Sequence, residues 1–153
     1  MVRRVALCGV LVLATALGTM ASPASAGDAY LIAHMNGGNE RPGPGDPDAF
    51  GRATVTIDDE ANRLCLTMWW RGVDGTLSGL HIHIAPPTSP GPIVIGFATP
   101  APTATVTYQC ITVENDDEAL LDNIAANPGQ YYINLHSTPN FGPGAIRGQL
   151  TRL

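Results

Sequence analysis

The chain predicts an all-β fold, an antiparallel β-sandwich or flattened barrel of seven to eight short strands with one short helix. Two observations carry this. Short runs alternate apolar and polar side chains as half-buried strands do, and glycine- and proline-rich turns separate them at spacings of roughly 8–12 residues. One stretch alone, 114–127, has helical periodicity, which argues against a doubly wound α/β chain.

Ahead of the strands, residues 1–26 read as a secretory signal. Arg3 and Arg4 precede an apolar run, and Ala24-Ser25-Ala26 is a small-residue cleavage site, with the cut expected after Ala26. The run is short for a membrane span, so the mature chain is expected to be extracellular and to carry no span. Residues 27–153 then make a single domain of 127 residues, enough to bury a core. Its thirteen acids meet six arginines and no lysine, a net charge of −7, which argues against nucleic acid and anionic membranes as partners.

The first strand, 30–35, places Leu31, Ala33 and Met35 on one face. Residues 36–51 lose all periodicity and hold Pro42, Pro44 and Pro47, so they read as a long surface loop carrying Glu40 and Arg41. Strands 52–57 and 63–71 follow, joined as a hairpin by the polar turn 58–62. In the second of them Leu64, Leu66, Met68 and Trp70 face inward, which sends Trp69 outward toward Cys65. After the turn 72–78 come the strand 79–84, an irregular proline-rich loop 85–92, a short apolar strand 93–97 and the strand 105–113. The helix 114–127 has Asn115 and Glu118 as a capping box and Leu120, Leu121 and Ile124 as its apolar stripe. Strands 131–136 and 145–150 end the chain, with 137–144 expected as the loop between them.

The mature chain keeps two cysteines, Cys65 and Cys110, an even count that in an oxidising compartment implies a disulfide. A loop of that length, closed in the unfolded chain, adds about 4 kcal/mol to stability.

The chemistry concentrates on 79–84, Gly-Leu-His-Ile-His-Ile. Alternation puts His81 and His83 on one face and Leu80, Ile82 and Ile84 on the other. In 131–136 the same rule groups Tyr132, Asn134 and His136 opposite Tyr131, Ile133 and Leu135. If the two strands are close, His81, His83 and His136 converge. Alternate strand residues lie about 6.6 Å apart, close enough for imidazoles to lean onto one copper or zinc ion. The bland alternative is a buried hydrogen-bond network in which Asn134, Ser137 and Arg147 supply partners.

The segments Gly38-Asn39-Glu40-Arg41-Pro42, Leu80-His81-Ile82-His83, Gly91-Pro92-Ile93-Val94, 131–137 and 144–150, taken in order, resemble a CHRD domain. This module was first described in chordin and also occurs as a stand-alone secreted domain in bacteria. The resemblance covers nearly all of 27–153 and implies an all-β sandwich. It also implies that the glutamate of the Asn-Glu-x-Pro loop and the arginine of the last strand, here Glu40 and Arg147, accompany the histidines. Arg147 alternates away from Ile146 and Leu150, so a bidentate Glu40–Arg147 pair is expected to pin the 36–51 loop over the cluster. His34 and Pro86-Pro87 depart from the family pattern. The His-x-His strand is also similar to the copper strand of copper-zinc superoxide dismutases, but no histidine lies between His83 and His136 to supply a bridging ligand.

Catalytic constellations are poorly supported. Ser137 adjoins His136 and so points to the opposite face, and Gly142-Pro143-Gly144 lacks the lysine and helix of a phosphate loop. The sequence thus predicts a secreted, non-catalytic module that binds an extracellular protein or surface component, with a metal-binding or redox protein using the three histidines as the alternative.

Overall fold

The computed structural model describes residues 28–114 and 118–153. The signal segment 1–26 and, of the capping box, Asn115 and the Glu118 side chain lie outside what is described. Strands β1 (Ala29–Asn36), β2 (Phe50–Asp58), β3 (Arg63–Arg71), β4 (Thr76–Ile84), β5 (Ile93–Phe97) and β6 (Val106–Thr112) precede the helix α1 (Glu118–Ala126). Strands β7 (Tyr131–Thr138), β8 (Phe141–Gln149) and the two-residue β9 (Thr151–Arg152) complete the chain. All pairings are antiparallel, in the order β5-β4-β7-β8-β1-β2-β3-β6, with β9 against β1. The sheet curls into a nearly closed barrel. Its two edges approach where Gln109 of β6 accepts from the Ala98 N–H and donates to the Ala98 carbonyl, each at 2.8 Å, just beyond β5.

Period-two alternation builds the interior. Leu31, Ala33 and Met35 of β1 are buried, as are Leu64, Leu66, Met68 and Trp70 of β3 and Leu80 and Ile82 of β4. Leu121 and Ile124 of α1 join this core, where each large aliphatic side chain contributes about 1.5–3 kcal/mol. Cys65 and Cys110 stand directly opposite each other on β3 and β6 and are bonded, at a sequence separation of 45.

Two details differ from expectation. Residues 137–144 are not a loop: β7 runs to Thr138 and β8 starts at Phe141, with Ser137 paired to Phe141. The glycines and Pro143 masked a strand whose pairing does not need every ladder bond. The strand 79–84 begins earlier, at Thr76, with a bulge between Leu77 and Gly79. Trp69 is outward as expected and packs edge-on against Phe50, with ring centroids 5.9 Å apart.

Candidate functional site

The outward faces of β4, β7 and β8 carry the site. Register sets three cross-strand rows. His83 lies opposite Tyr132, which lies opposite Gln149; His81 lies opposite Asn134, which lies opposite Arg147; and Gly79 lies opposite His136. The row spacing brings His136 diagonally onto His81. His81 Nδ1 is 3.1 Å from His136 Nε2, and one ligand nitrogen from each of His81, His83 and His136 lies within 4.8 Å of the other two. Among the described residues this is the one group of its kind close enough to hold an ion. Gly79 makes the room: a Cβ there would lie 2.7 Å from His81 Cε1 and 3.4 Å from His136 Cδ2.

Hydrogen bonds fix the tautomers. Because a carbonyl can only accept, His83 Nδ1–H donates to Gly91 O at 2.9 Å and His136 Nδ1–H donates to Gly142 O at 2.8 Å. Neutral His136 therefore offers its Nε2 lone pair, and His81 Nδ1–H donates to it. His83 Nε2 is buried and has no hydrogen-bond partner. Burial holds all three imidazoles below their ordinary pKa, and for His81 the neighbouring His136 and His83 add to it. The three rings are thus neutral near pH 7, the form in which imidazole binds a metal.

Loops turn this outer face into a second interior. His83 stacks on Tyr132 with centroids 4.7 Å apart, and the Arg147 guanidinium covers the Tyr132 ring at 3.4 Å. Arg147, 1% exposed, donates through Nη1 to Ser89 O and through Nη2 to Pro86 O, each at 2.9 Å. Gln149 Nε2 donates to Ala85 O at 2.7 Å, and Gly91 N–H donates to the Tyr132 hydroxyl at 3.2 Å. The loop that Arg147 holds is therefore 85–92.

This corrects the expected Glu40–Arg147 bridge. The Glu40 carboxylate accepts from Asn134 Nδ2 at 2.5 Å, and the one ion pair among the described residues joins Arg63 to Asp58. Arg147 has three of its five N–H groups on the Ser89, Pro86 and Gln149 oxygens and its face on the Tyr132 ring, while an amide satisfies the Glu40 carboxylate, so the two side chains are held apart. The 36–51 loop is still fastened over the sheet, through Glu40 on Asn134, Asn39 Nδ2 on Arg147 O at 3.1 Å and Asp46 N–H on Ala145 O at 2.9 Å. Burial raises the Glu40 carboxyl from 4.5 to about 7, against the opposing pull of Arg147 and Asn134. Gly144 opens the space for it: its φ is +155°, and a Cβ there would strike the Glu40 carboxylate and the Asn134 amide.

Ser137 takes no part in the network. It faces the core side of β7 with Leu135 and donates to Asp74 O at 2.6 Å. Tyr132, Gln149, Asn39 and the Gly91 and Gly142 carbonyls belong to the site without having been assigned a role from sequence. For Tyr132 and Gln149 the signal was present, since each alternates onto the face of His136 or Arg147; backbone acceptors carry no side-chain signal at all.

The fold and site define a class: an antiparallel β-barrel module with a three-histidine cluster roofed by proline- and glycine-rich loops. A family model, the CHRD domain, matches residues 31–150, from β1 to the residue after β8. The chain belongs to the CHRD domain family. No curated protein and no solved structure matches it.

Proposed function

We propose that this protein is a secreted, non-catalytic β module that binds copper or zinc through His81, His83 and His136. The observation that carries the reading is the orphaned Nε2 of His83, buried with its ring already committed through Nδ1–H to Gly91 O. A buried acceptor left without a partner costs about 1–3 kcal/mol, and a cation supplies the missing partner. His136 shows the same arrangement, with Nδ1–H anchored on a carbonyl and Nε2 turned to the cluster, the pattern in which metal-bound imidazoles are held. Three imidazoles suit Cu(II) or Zn(II), and an ion with three protein ligands keeps a position for water or a further ligand. Secretion is supported by the signal-like segment 1–26, by the Cys65–Cys110 disulfide and by the finding that no described helix is long and apolar enough to cross a membrane.

The test is titration of protein purified without a histidine tag. One equivalent of copper or zinc should bind, and His83→Phe should lose at least tenfold in affinity. Metal-free protein that takes up neither ion in stoichiometric amount refutes the reading.

A second reading, binding of an extracellular protein or surface component, is favoured by a separate observation. The outer face of β2, β3 and β6 leaves Phe50, Trp69, Val106 and Tyr108 exposed at 50%, 41%, 61% and 69%. Loss of retention on intact producing cells in a Phe50→Ala/Trp69→Ala variant would support it, and unchanged retention would remove it.

A further inference from the structure

Between the loops 36–51 and 85–92 and the strand β8 lies a cavity of about 140 Å³ lined by Asn39, Arg41, Pro87, Arg147 and Gln149. Two guanidiniums border it, and neither makes an ion pair: the Glu40 carboxyl feels both charges but is turned to Asn134, and the one ion pair among the described residues is Arg63–Asp58. Arg147 is fully buried, yet its hydrogen bonds run to neutral groups, the Ser89 and Pro86 carbonyls and Gln149 Oε1. The Arg41 bonds run through Nη1 alone, to the Gly38 and Glu40 carbonyls, which leaves its Nη2 and Nε edge for another acceptor. Two cations at one small cavity repel each other, and a buried cation is normally matched by an anion.

We propose that this cavity is a binding site for a compact oxyanion, a carboxylate or a phosphate-type group, held between Arg41 and Arg147. The Arg41 fork suits either group, because both present paired oxygens to an arginine, and Arg147 adds its buried charge and the N–H groups it leaves unused. The site is separate from the histidine nitrogens and does not depend on a metal being bound there.

Metal-free protein titrated with inorganic phosphate and, separately, with acetate tests this, at constant ionic strength set with chloride. Saturable binding is expected with at least one probe, with Tm raised by roughly 4–8 °C at tenfold excess over Kd. Arg41→Gln should weaken that binding at least tenfold, while Arg52→Gln, the same charge change on an exposed β2 residue, should leave it intact. Binding of phosphate alone identifies a phosphate-type ligand, of acetate alone a carboxylate, and of both the shared chemistry. The proposal is overturned if neither probe saturates above the chloride control, if Arg41→Gln binds as the wild type does, or if Arg52→Gln weakens binding equally.

Discussion

Replacing Glu40 by glutamine should flatten one limb of the protein's pH–stability curve. The carboxyl is 3% exposed, and burial raises it from 4.5 to about 7. The native state therefore holds this proton more tightly than the unfolded chain does. Its contribution is fully present below pH 4.5 and is lost as pH rises through about 7. Each pH unit between those values changes the folding free energy by about 1.4 kcal/mol, so the whole span amounts to about 3 kcal/mol. Glutamine keeps an Oε1 to accept from Asn134 and never ionises.

Urea unfolding followed by the fluorescence of Trp69 and Trp70, from about pH 4.5 to about pH 8, reads this directly. The difference between variant and wild type is the informative quantity. The three histidines act in the opposite sense: their pKa values are lowered, so their contribution is present above pH 6.5 and is lost as pH falls below it through their lower native values, and that part cancels in the subtraction. Glu40→Gln should gain on the wild type by about 3 kcal/mol between the acid and alkaline ends, a relative shift in urea midpoint of about 1–3 M. A difference that stays flat across the range would refute the assignment of a buried, proton-holding carboxyl.

Other substitutions separate the parts of the site. Gly79→Ala places a methyl 2.7 Å from His81 Cε1, which displaces a ring rather than backbone, so titration should show copper or zinc affinity falling by about 10–100-fold while Tm moves by only a few degrees. Arg147→Lys cannot reach both the Pro86 and Ser89 carbonyls while covering Tyr132; denaturation should show a loss of about 2–4 kcal/mol, and amides of residues 85–92 should exchange faster. The double variant Cys65→Ser/Cys110→Ser should be less stable by about 4 kcal/mol in the chain-entropy account, and reducing agent should lower the Tm of the wild type but not of the variant.

Much of this was legible because a strand states its own facing. Alternation alone placed His81 and His83 outward, put Tyr132, Asn134 and His136 on one face of β7, and chose Trp70 over Trp69 for the core. Register was not legible, since the diagonal approach of His136 to His81 depends on how β4 meets β7, including the bulge beside Gly79. The β7–β8 turn was hidden by Gly142, Pro143 and Gly144, which read as loop wherever composition is the only guide. The Glu40–Arg147 error has a different origin. Opposite charges suggested each other, but burial on this face is satisfied by backbone carbonyls and amides, which a sequence does not display.

The two outer faces of the barrel explain why the site sits where it does. On β3 and β6 the outward residues meet solvent, with Val106 and Tyr108 more than half exposed. On β4, β7 and β8 the outward residues are covered: His83 is 8% exposed, Tyr132 3%, Asn134 2% and Arg147 1%. Covering them requires ordering the 36–51 and 85–92 loops at about 1–2 kcal/mol of backbone entropy per residue. Beside the buried Ala49 and Ala85, these loops are fastened by Asn39, Glu40, Asp46, Arg147 and Gln149, polar groups whose bonds each return about 0.5–1.5 kcal/mol. A barrel needing only stability would leave this face open, as it leaves the other. The roof holds neutral imidazoles, an orphaned nitrogen and a buried guanidinium in fixed positions, the preorganisation that the proposed metal binding calls for.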